Sequence, residues 1–369
     1  MTTTPRYLSA HIELWKSNPH AANLAWFKQT KWGLFIHYGL YSQLGAGEWA
    51  LYGRNIPLAE YEPLADSFRP DRFDAEAITD LALAADMQYI NLVSCHHEGF
   101  PLWESRVEPW NSHKVCGRDL VQELGEACDR KGLGFFLYFT HILNWRHPMA
   151  WPREVFPIGR PEYPAPEPRY KLHGGLGPEG NPGYWQWAHG LLDELCRLSF
   201  PVAGIWLDII SGYYLQPRLI PVTETYRRIR ARLPHALISF KQGATGEEDF
   251  ASPELSFHSM GENLRKQGRE DAALLADAAW EKNKHKKNEI CMTLQRSGWG
   301  YVKDTAHYTA EEVRARLAYA LKNNCSMLTN VGPLPDGSIH PDDGATLREC
   351  GKQICARGWP GPDEAITPE

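Results

Sequence analysis

Short apolar runs alternate with amphipathic stretches of helical period along most of this chain, and this alternation limits the folds that it can adopt. Runs typical of buried strands occur at residues 33–37, 89–95, 133–139, 204–208, 236–240, 289–294 and 326–332. Helical patterns separate them at residues 74–86, 119–131, 185–198, 224–233, 310–323 and 343–356. A repeat of strand and helix predicts an α/β fold with a parallel sheet.

Seven or eight such strands are enough to close a (β/α)8 TIM-like barrel, and a barrel of this kind often forms a single domain of this size. The short, mixed stretch at residues 255–260 is the candidate for the additional strand. We therefore expect one barrel domain over residues 1–356, including a short N-terminal extension, followed by a tail at residues 357–369.

Polar side chains stand at the ends of three predicted strands. His37 closes the first run, His96, His97 and Glu98 follow the second, and Asp208 closes the run at 204–208. The strands of a parallel barrel all open at their carboxyl ends on one face, so these groups are expected to converge there. Because burying an aspartate is costly unless it faces a cleft, the sequence predicts an active site on this face.

Composition excludes several kinds of protein. The net charge is −6, and the one basic cluster, at residues 282–287, is interpreted as a solvated loop or helix end, so nucleic acid is not an expected partner. The chain has no run of about 18 apolar residues and no signal-like start, which predicts a cytoplasmic protein without a membrane anchor. Its eight cysteines form no Cys-x-x-Cys pair, which is typical of reduced thiols.

Residues 147–183 interrupt the repeat after the third predicted strand. Nine prolines and a glycine-rich end deny this segment regular structure. It connects a strand to a helix and so lies on the predicted active face. We interpret it as a rim or lid over the site, with an ordinary surface loop as the alternative.

Aromatic residues make up 12% of the chain, and several of them stand beside the polar strand ends. Flat apolar walls around a few polar groups suit a sugar ring, although a large barrel core also uses aromatic residues. The residues concerned are Trp32, Tyr38, Trp49, Phe100, Trp103, Trp145, Trp206 and Trp299.

An ordered set of motifs resembles the α-L-fucosidases of glycoside hydrolase family 29. The likeness extends from about residue 25 to about residue 355, and the ordered set is far more specific than any one motif. It consists of residues 32–39 with 48–49, residues 96–100, residues 118–121, residues 206–208, residues 299–301, and residues 330–333 with 336–337.

The resemblance implies a retaining exo-glycosidase that hydrolyses terminal α-L-fucosides by double displacement. By similarity, Asp208 is the nucleophile and Glu254, which follows a proline as in a related family segment, is the acid/base. A retaining mechanism requires the two carboxyl groups to lie about 5 to 5.5 Å apart. Other candidates for the acid/base remain open, namely Glu289, Glu48, Glu98 and Glu262.

The resemblance also assigns side chains to the sugar subsite. Imidazole suits this role because one ring nitrogen can donate and the other can accept a hydrogen bond from a hydroxyl. The assigned residues are His37, Glu48, Trp49, His96, His97, Trp206, Lys241 and Trp299.

A metal site made of His37, His96, His97 and Glu98 is a competing interpretation of the same residues. Adjacent histidines on a strand point to opposite sides, and a His-x-x-x-His helical spacing is absent from this set. We therefore expect neither a metal nor a cofactor.

The chain departs from the family pattern at several positions. Glu98, Tyr38, Ile209 and Lys241 stand where relatives usually have Asp, Trp, Gly and Arg, and these exchanges would reshape a small sugar pocket. Relatives usually carry a β-sandwich after the barrel, whereas about a dozen residues follow the last predicted helix here. Without the sandwich, either the pocket opens to a larger leaving group or a surface is free for assembly into a homo-oligomer.

The expected substrate is a small molecule or an oligosaccharide, but its sugar is not fixed by the sequence. One alternative is an exo-glycosidase of the same fold that acts on another sugar, such as α-L-galactose. A second is a carbohydrate-binding barrel without hydrolysis, and a third is a metal-dependent hydrolase or isomerase.

Overall fold

A computed structural model describes residues 3–171 and 180–366. The strands in this part of the chain are β1 Trp32–Ile36, β2 Tyr89–Cys95, β3 Gly134–Phe139, β4 Gly204–Leu207, β5 Leu237–Phe240, β6 Asn288–Thr293 and β7 Cys325–Val331. The α-helices are α1 Ile12–Ser17, α2 Pro19–Phe27, α3 Ala50–Gly53, α4 Leu58–Tyr61, α5 Ala75–Ala84, α6 Ser112–Cys116, α7 Leu120–Lys131, α8 Pro182–Leu195, α9 Ile210–Leu215, α10 Val222–Arg232, α11 Gly261–Lys266, α12 Glu270–Asn283, α13 Ala310–Lys322 and α14 Pro341–Arg357.

The strands form one parallel, curled sheet with the order β5-β4-β3-β2-β1-β7-β6. Almost every strand residue is buried, which explains the unbroken apolar runs in the sequence. Each of the seven predicted strands lies within one residue of an observed strand at both ends. The predicted α/β fold with a parallel sheet is confirmed.

Side-chain caps fix where several helices begin. Asp74, Asp119 and Asn181 each accept a backbone N–H at the start of α5, α7 and α8. The start predicted for the helix at 185–198 is wrong, because the Asn181 cap and Pro182 begin α8 three residues earlier. The glycine-rich part of the proline-rich segment, at residues 172–179, lies outside the described residues.

Residues 249–255, the linking segment, join the two edges of the sheet without forming a regular strand. The Asp249 N–H donates to the carbonyl oxygen of Ile238 in β5 at 2.8 Å, and the Cys291 N–H in β6 donates to the carbonyl oxygen of Pro253 at 3.1 Å. One parallel bridge also connects the segment to each edge strand. The linking segment therefore lies between β5 and β6.

The strand predicted at residues 255–260 is wrong. Leu255 has a φ of 62°, which interrupts extended backbone, and the residues after it form bends before α11. The described residues thus contain seven regular strands, with the linking segment in the position expected for another one.

Alternate residues of the strands face two separate cores, as the pleat of a strand requires. The larger core lies between the sheet and the helices and includes Leu34, Leu92 and Leu137. The smaller core fills the inside of the curled sheet. It includes Phe35, Tyr89, Phe136, Tyr138, Trp206, Phe250 and Leu328. Large aromatic side chains therefore fill the interior below the carboxyl ends of the strands.

The helices cover the outside of the sheet and expose charged residues to solvent. α14, the longest with 17 residues, follows this pattern. Within the two described stretches, we find no helix with both the length and the apolar character needed to cross a bilayer.

Candidate active site

The carboxyl ends of the strands surround a cavity of about 380 Å³. All ten side chains that the sequence assigns to catalysis or sugar binding line this one cavity, although they come from positions throughout the chain. They are His37, Glu48, Trp49, His96, His97, Trp206, Asp208, Lys241, Glu254 and Trp299. The convergence of strand-end side chains is thus found in the structure, while the role of each residue stays a prediction.

Asp208 lies at the end of β4 and is almost fully buried. The Tyr138 hydroxyl donates to its Oδ2 at 2.5 Å, and the Ile209 N–H donates to its Oδ1 at 2.6 Å. Burial acts to raise the pKa of this carboxyl. The charge of Lys241, together with these hydrogen bonds, outweighs burial and lowers the pKa to about 2. Asp208 is therefore a carboxylate at neutral pH.

Lys241 lies between the two candidate catalytic carboxylates. Its Nζ is 3.3 Å from Asp208 Oδ1 and also forms an ion pair with Glu254. The ammonium lies 4.7 Å from the centre of the Trp206 ring. Burial opposes the charge of Lys241, but the two carboxylates outweigh it and raise the pKa above its usual range. A permanent positive charge therefore sits at the centre of the site.

Glu254 differs from Asp208 in its exposure. Its side chain is 48% exposed, against 13% for that of Asp208, and it enters the cavity from the linking segment. Proton exchange with solvent is open to this carboxyl, whereas Asp208 lies deeper. Such a division between a rim carboxyl and a buried carboxylate suits two different chemical roles.

Left-handed backbone occurs at three residues next to these acidic side chains. Ile209 follows Asp208 with a φ of 63°, Leu255 follows Glu254 with a φ of 62°, and Lys241 itself has a φ of 48°. This conformation is unfavourable for residues other than glycine, most of all for a β-branched isoleucine. Backbone strain of this kind collects at functional sites, where the surrounding structure imposes it.

His37 is held in one orientation and one tautomer. Its Nδ1 lies 2.6 Å from Asn330 Oδ1. The amide N–H of Asn330 donates to the Trp299 carbonyl oxygen at 2.7 Å, which identifies the other amide atom as the oxygen. Asn330 Oδ1 is therefore the acceptor and His37 Nδ1 the donor. Burial lowers the pKa of His37 to about 3, so the ring is neutral and its Nε2 is an acceptor facing the cavity.

His96 and His97 form the neighbouring wall, and their rings lie 3.9 Å apart. His97 Nδ1 is hydrogen-bonded to the Thr140 hydroxyl at 2.7 Å. Burial lowers the pKa of His97 to about 4 and that of His96 well below its usual value. Three neutral imidazoles thus offer donors and acceptors to uncharged hydroxyls.

Glu48 fixes the part of the wall that Trp299 forms. Its Oε2 accepts the backbone N–H groups of Trp299 and Gly300, both at 2.8 Å. These two bonds fix the turn that carries the Trp299 ring, which lies 5.4 Å from that of His37. Glu48 therefore positions an aromatic wall in addition to lining the cavity.

The cavity histidines do not have the arrangement of a metal site. Of the described residues, only His307, His340 and Asp342 bring three ligand atoms close enough together to hold one ion, and none of them lines the cavity. The geometry does not favour the metal-dependent alternative.

The structure distinguishes the four alternative acid/base residues by whether they line the cavity. Of the four, Glu48 is the one that lines the cavity within the described part of the chain. Glu289 is buried behind Trp206 and accepts hydrogen bonds from its indole N–H at 3.0 Å and from the hydroxyls of Tyr89 and Ser252. Glu289 therefore anchors Trp206 from below.

Sequence reasoning did not assign Phe35, Tyr138, Ile209 and Gly298, which also line the cavity. Tyr138 is the most important omission because its hydroxyl contacts Asp208. It lies inside the apolar run of β3, where a tyrosine looks like core. Its position one residue before the end of β3 was the available signal.

Comparison with known proteins agrees with this geometry. Residues 8–358 match the family model described as alpha-L-fucosidase. The chain belongs to the α-L-fucosidase family. It is therefore a glycoside hydrolase, as the sequence motifs predict.

Relatives of this α-L-fucosidase family member cover most of the chain. The tissue alpha-L-fucosidase of Homo sapiens is 34% identical over 364 residues, or 90% of this chain and 68% of the relative. The plasma alpha-L-fucosidase of Pongo abelii is 26% identical and spans 96% of this chain and 74% of the relative. The structure of alpha-L-fucosidase isoenzyme 1 from Paenibacillus thiaminolyticus matches with a TM-score of 0.72 and 26% identity, covering 92% and 77% of the two chains.

Glu98 is a buried acid beside the cavity of this α-L-fucosidase family member. Its Oε2 lies 3.7 Å from His96 Nδ1, and neither atom has a hydrogen-bond partner among the described residues. Burial raises the pKa of Glu98 to about 8. The carboxyl is therefore mostly protonated at neutral pH, and an uncharged group lies behind His96.

Replacing Glu98 with glutamine is expected to change how stability depends on pH. From about pH 4.3 to about pH 8 the unfolded Glu98 is ionised while the folded one keeps its proton, so the free energy of unfolding of the original protein falls as pH rises. Glu98→Gln removes this dependence and should be the more stable protein at pH 8 by at least about 1 kcal/mol. Thermal unfolding of both proteins between pH 5 and pH 8 measures how their difference in stability changes with pH. A difference in Tm that stays constant over this range would contradict the prediction.

Proposed function

We propose that the chain is a retaining exo-α-L-fucosidase in which Asp208 is the nucleophile and Glu254 is the acid/base. The observation that carries this proposal is the sharing of one ammonium, that of Lys241, by the two carboxylates. Their oxygens therefore lie within about 6 Å of each other. This upper limit is compatible with the 5 to 5.5 Å typical of retaining glycosidases and lies below the range of about 6.5 to 9.5 Å of inverting ones.

In the first step, an Asp208 oxygen attacks the anomeric carbon while the bond from that carbon to the leaving oxygen breaks. Glu254 gives its proton to the leaving oxygen, and the sugar becomes an ester of Asp208. In the second step, the Glu254 carboxylate takes a proton from water, and the water oxygen displaces Asp208. The sugar is released with its original anomeric configuration, and both carboxyl groups return to their starting forms.

Lys241 has two effects on this chemistry. Its charge keeps Asp208 ionised, which the attack requires. Its ammonium also contacts Glu254, the carboxyl that must reach the leaving oxygen to act as an acid. We infer that Lys241 releases Glu254 when substrate binds and then pairs with Asp208 alone.

The rest of the cavity suits one sugar ring. His37, His96 and His97 are neutral and can bind hydroxyls, and the Trp299 ring offers a flat apolar wall. A cavity of about 380 Å³ with a floor of buried aromatics accommodates a terminal residue of a glycan. This enclosure supports removal of single terminal fucosyl groups.

We also propose that the linking segment completes an eight-position (β/α)8 barrel. Its hydrogen bonds to both β5 and β6 support this view of the curled seven-stranded sheet. In this arrangement Glu254 lies at the carboxyl end of the eighth barrel position, as Asp208 and His37 lie at the carboxyl ends of β4 and β1.

Trapping the intermediate tests the proposed function directly. A 2-deoxy-2-fluoro-α-L-fucosyl donor with a good leaving group should inactivate the enzyme. Fluorine slows both steps, and the good leaving group restores only the first, so the ester accumulates. Peptide mass mapping is expected to find one added fluorofucosyl group, on Asp208. A label on another residue would reject the assigned nucleophile, and turnover of the matching L-galactosyl donor in preference would reject the assigned sugar.

A further inference from the structure

A cluster of potential metal ligands lies outside the cavity, where the loop between β6 and α13 meets the start of α14. One ligand atom from each of His307, His340 and Asp342 lies within 4.8 Å of the other two, and no second group of this kind occurs among the described residues. We propose that these three side chains bind a Zn²⁺ ion. The proposal is independent of the roles assigned to Asp208 and Glu254.

The hydrogen-bond partner of His307 favours an ion at the other nitrogen of its ring. His307 Nδ1 lies 2.6 Å from Oδ1 of Asp343, a carboxyl whose side chain is 1% exposed. A carboxylate accepts, so Nδ1 donates, and the lone pair of the neutral ring lies on Nε2. Metal-binding histidines are commonly held by a carboxylate in this way, which fixes the ring and makes the free nitrogen a stronger ligand.

Asp343 also has an oxygen that the protein leaves without a partner. Its Oδ2 is buried and accepts no hydrogen bond within the part of the chain that the structure describes. A buried carboxylate oxygen in this position is costly unless a positive charge lies nearby. An ion bound to His307 supplies that charge, and the carboxylates of Asp342 and Asp343 together balance a divalent ion.

The donor atoms select the kind of ion. Two imidazole nitrogens and one carboxylate oxygen are typical ligands of Zn²⁺, and a water molecule would complete a tetrahedral site. Co²⁺ and Ni²⁺ accept the same ligands, whereas Mg²⁺ and Ca²⁺ prefer oxygen ligands. The cluster should therefore distinguish transition-metal ions from the alkaline-earth ions.

Binding requires a small movement of the two more exposed ligands. The donor atoms of a tetrahedral zinc site lie about 3.3 to 3.5 Å apart, so the three atoms have to approach one another. The His340 ring stacks on that of His307 with the ring centres 4.4 Å apart, and its Nδ1 accepts a long hydrogen bond of 3.3 Å from the Asp342 N–H. The side chains of His340 and Asp342 are 24% and 71% exposed. Both can turn toward an ion without disturbing the core.

An ion at this cluster would join two separate parts of the chain. His307 lies at the base of the loop between β6 and α13, which is closed by a hydrogen bond of 2.9 Å from the Arg296 N–H to the Ala306 carbonyl oxygen. The same loop carries Trp299, which lines the cavity. The other two ligands lie at the start of α14. The ion should therefore stabilise the fold, while the cavity keeps its own lining without it.

Titration with Zn²⁺ alone tests the proposal. Protein without an affinity tag, stripped of metal with EDTA and dialysed, is expected to bind one Zn²⁺ per chain by calorimetry. At a free Zn²⁺ concentration of about 100 times Kd, Tm should rise by about 3 °C, and Mg²⁺ should have no such effect. His340→Ala removes an exposed ligand and should abolish the rise. Asp343→Asn should weaken Zn²⁺ binding about 10- to 100-fold although this residue does not touch the ion.

Matched variants exclude other zinc-binding groups. His113→Ala removes an exposed histidine outside the cluster and should change neither Kd nor the rise in Tm. All proteins carry Cys355→Ser, because an exposed thiol also binds zinc. A wild-type chain that binds no Zn²⁺ at one to one, or a His340→Ala variant that binds it as tightly, would overturn the proposal. Hydrolysis of an aryl α-L-fucoside should be unaffected by EDTA, and a loss that Zn²⁺ reverses would place the ion in the cavity and equally overturn it.

Discussion

Replacing Asp208 with asparagine is expected to lower kcat/KM on an aryl α-L-fucoside by about a thousandfold or more, equivalent to about 4 kcal/mol of transition-state stabilisation. Asparagine keeps the shape of the side chain but has no carboxylate to form the ester with the sugar. The loss should also appear with α-L-fucosyl fluoride, because the first step fails whatever the leaving group is. Steady-state kinetics on both substrates measures it.

A half-buried carboxylate outside the cavity, that of Asp193, provides the control for Asp208→Asn. Asp193 accepts hydrogen bonds from Arg228 at 3.1 Å and Arg232 at 2.7 Å and does not line the cavity. Asp193→Asn should lower Tm while kcat/KM stays within about twofold of wild type. If Asp208→Asn kept its activity, or if Asp193→Asn lost as much, Asp208 would not be the nucleophile.

Replacing Glu254 with alanine is expected to affect substrates according to their leaving group. General acid catalysis contributes about 10² to 10⁴-fold, so hydrolysis of a fucosyl disaccharide should fall by that factor. The fluoride leaves without a proton and should be affected mainly in the second step. Azide needs no general base to attack the fucosyl ester of Asp208, so added azide should restore turnover and form a fucosyl azide of retained configuration.

Glu262 offers a matched control for Glu254. It is an exposed glutamate on the nearby helix α11 that pairs with Lys266 and does not line the cavity. Glu262→Ala should show neither the dependence on leaving group nor a response to azide. If Glu254→Ala behaved in the same way, the acid/base would be another carboxyl, and Glu48 would be the next to test.

The sequence was sufficient to predict the sheet and the convergence of its strand ends. Buried parallel strands appear as unbroken apolar runs, and polar residues such as His96 and Asp208 stand out where these runs end. The topology of a parallel sheet brings the carboxyl ends of all its strands to one face. Their convergence in one cavity could therefore be predicted without any measured distance. The ordered motifs then supplied the sugar chemistry that the pattern alone left open.

Other features depend on tertiary contacts that leave no local signal. The linking segment has no periodic pattern, because its backbone is held by hydrogen bonds to two different strands rather than by its own regular structure. The position of Lys241 between Asp208 and Glu254 depends on a left-handed residue at the end of β5. The contact of Tyr138 with Asp208 depends on the register between β3 and β4.

The linking segment has a consequence for how enzymes of this architecture can diversify. A carboxyl borne by a regular strand cannot shift by one position without turning to the opposite side of the sheet. Glu254 is held by an irregular stretch, in which residues can be inserted or deleted while the seven regular strands keep their pairing. The proposed proton donor could therefore migrate along the chain during evolution while the proposed nucleophile stayed where it was. Designers could likewise relocate the proposed proton donor without rebuilding the strand that carries the proposed nucleophile.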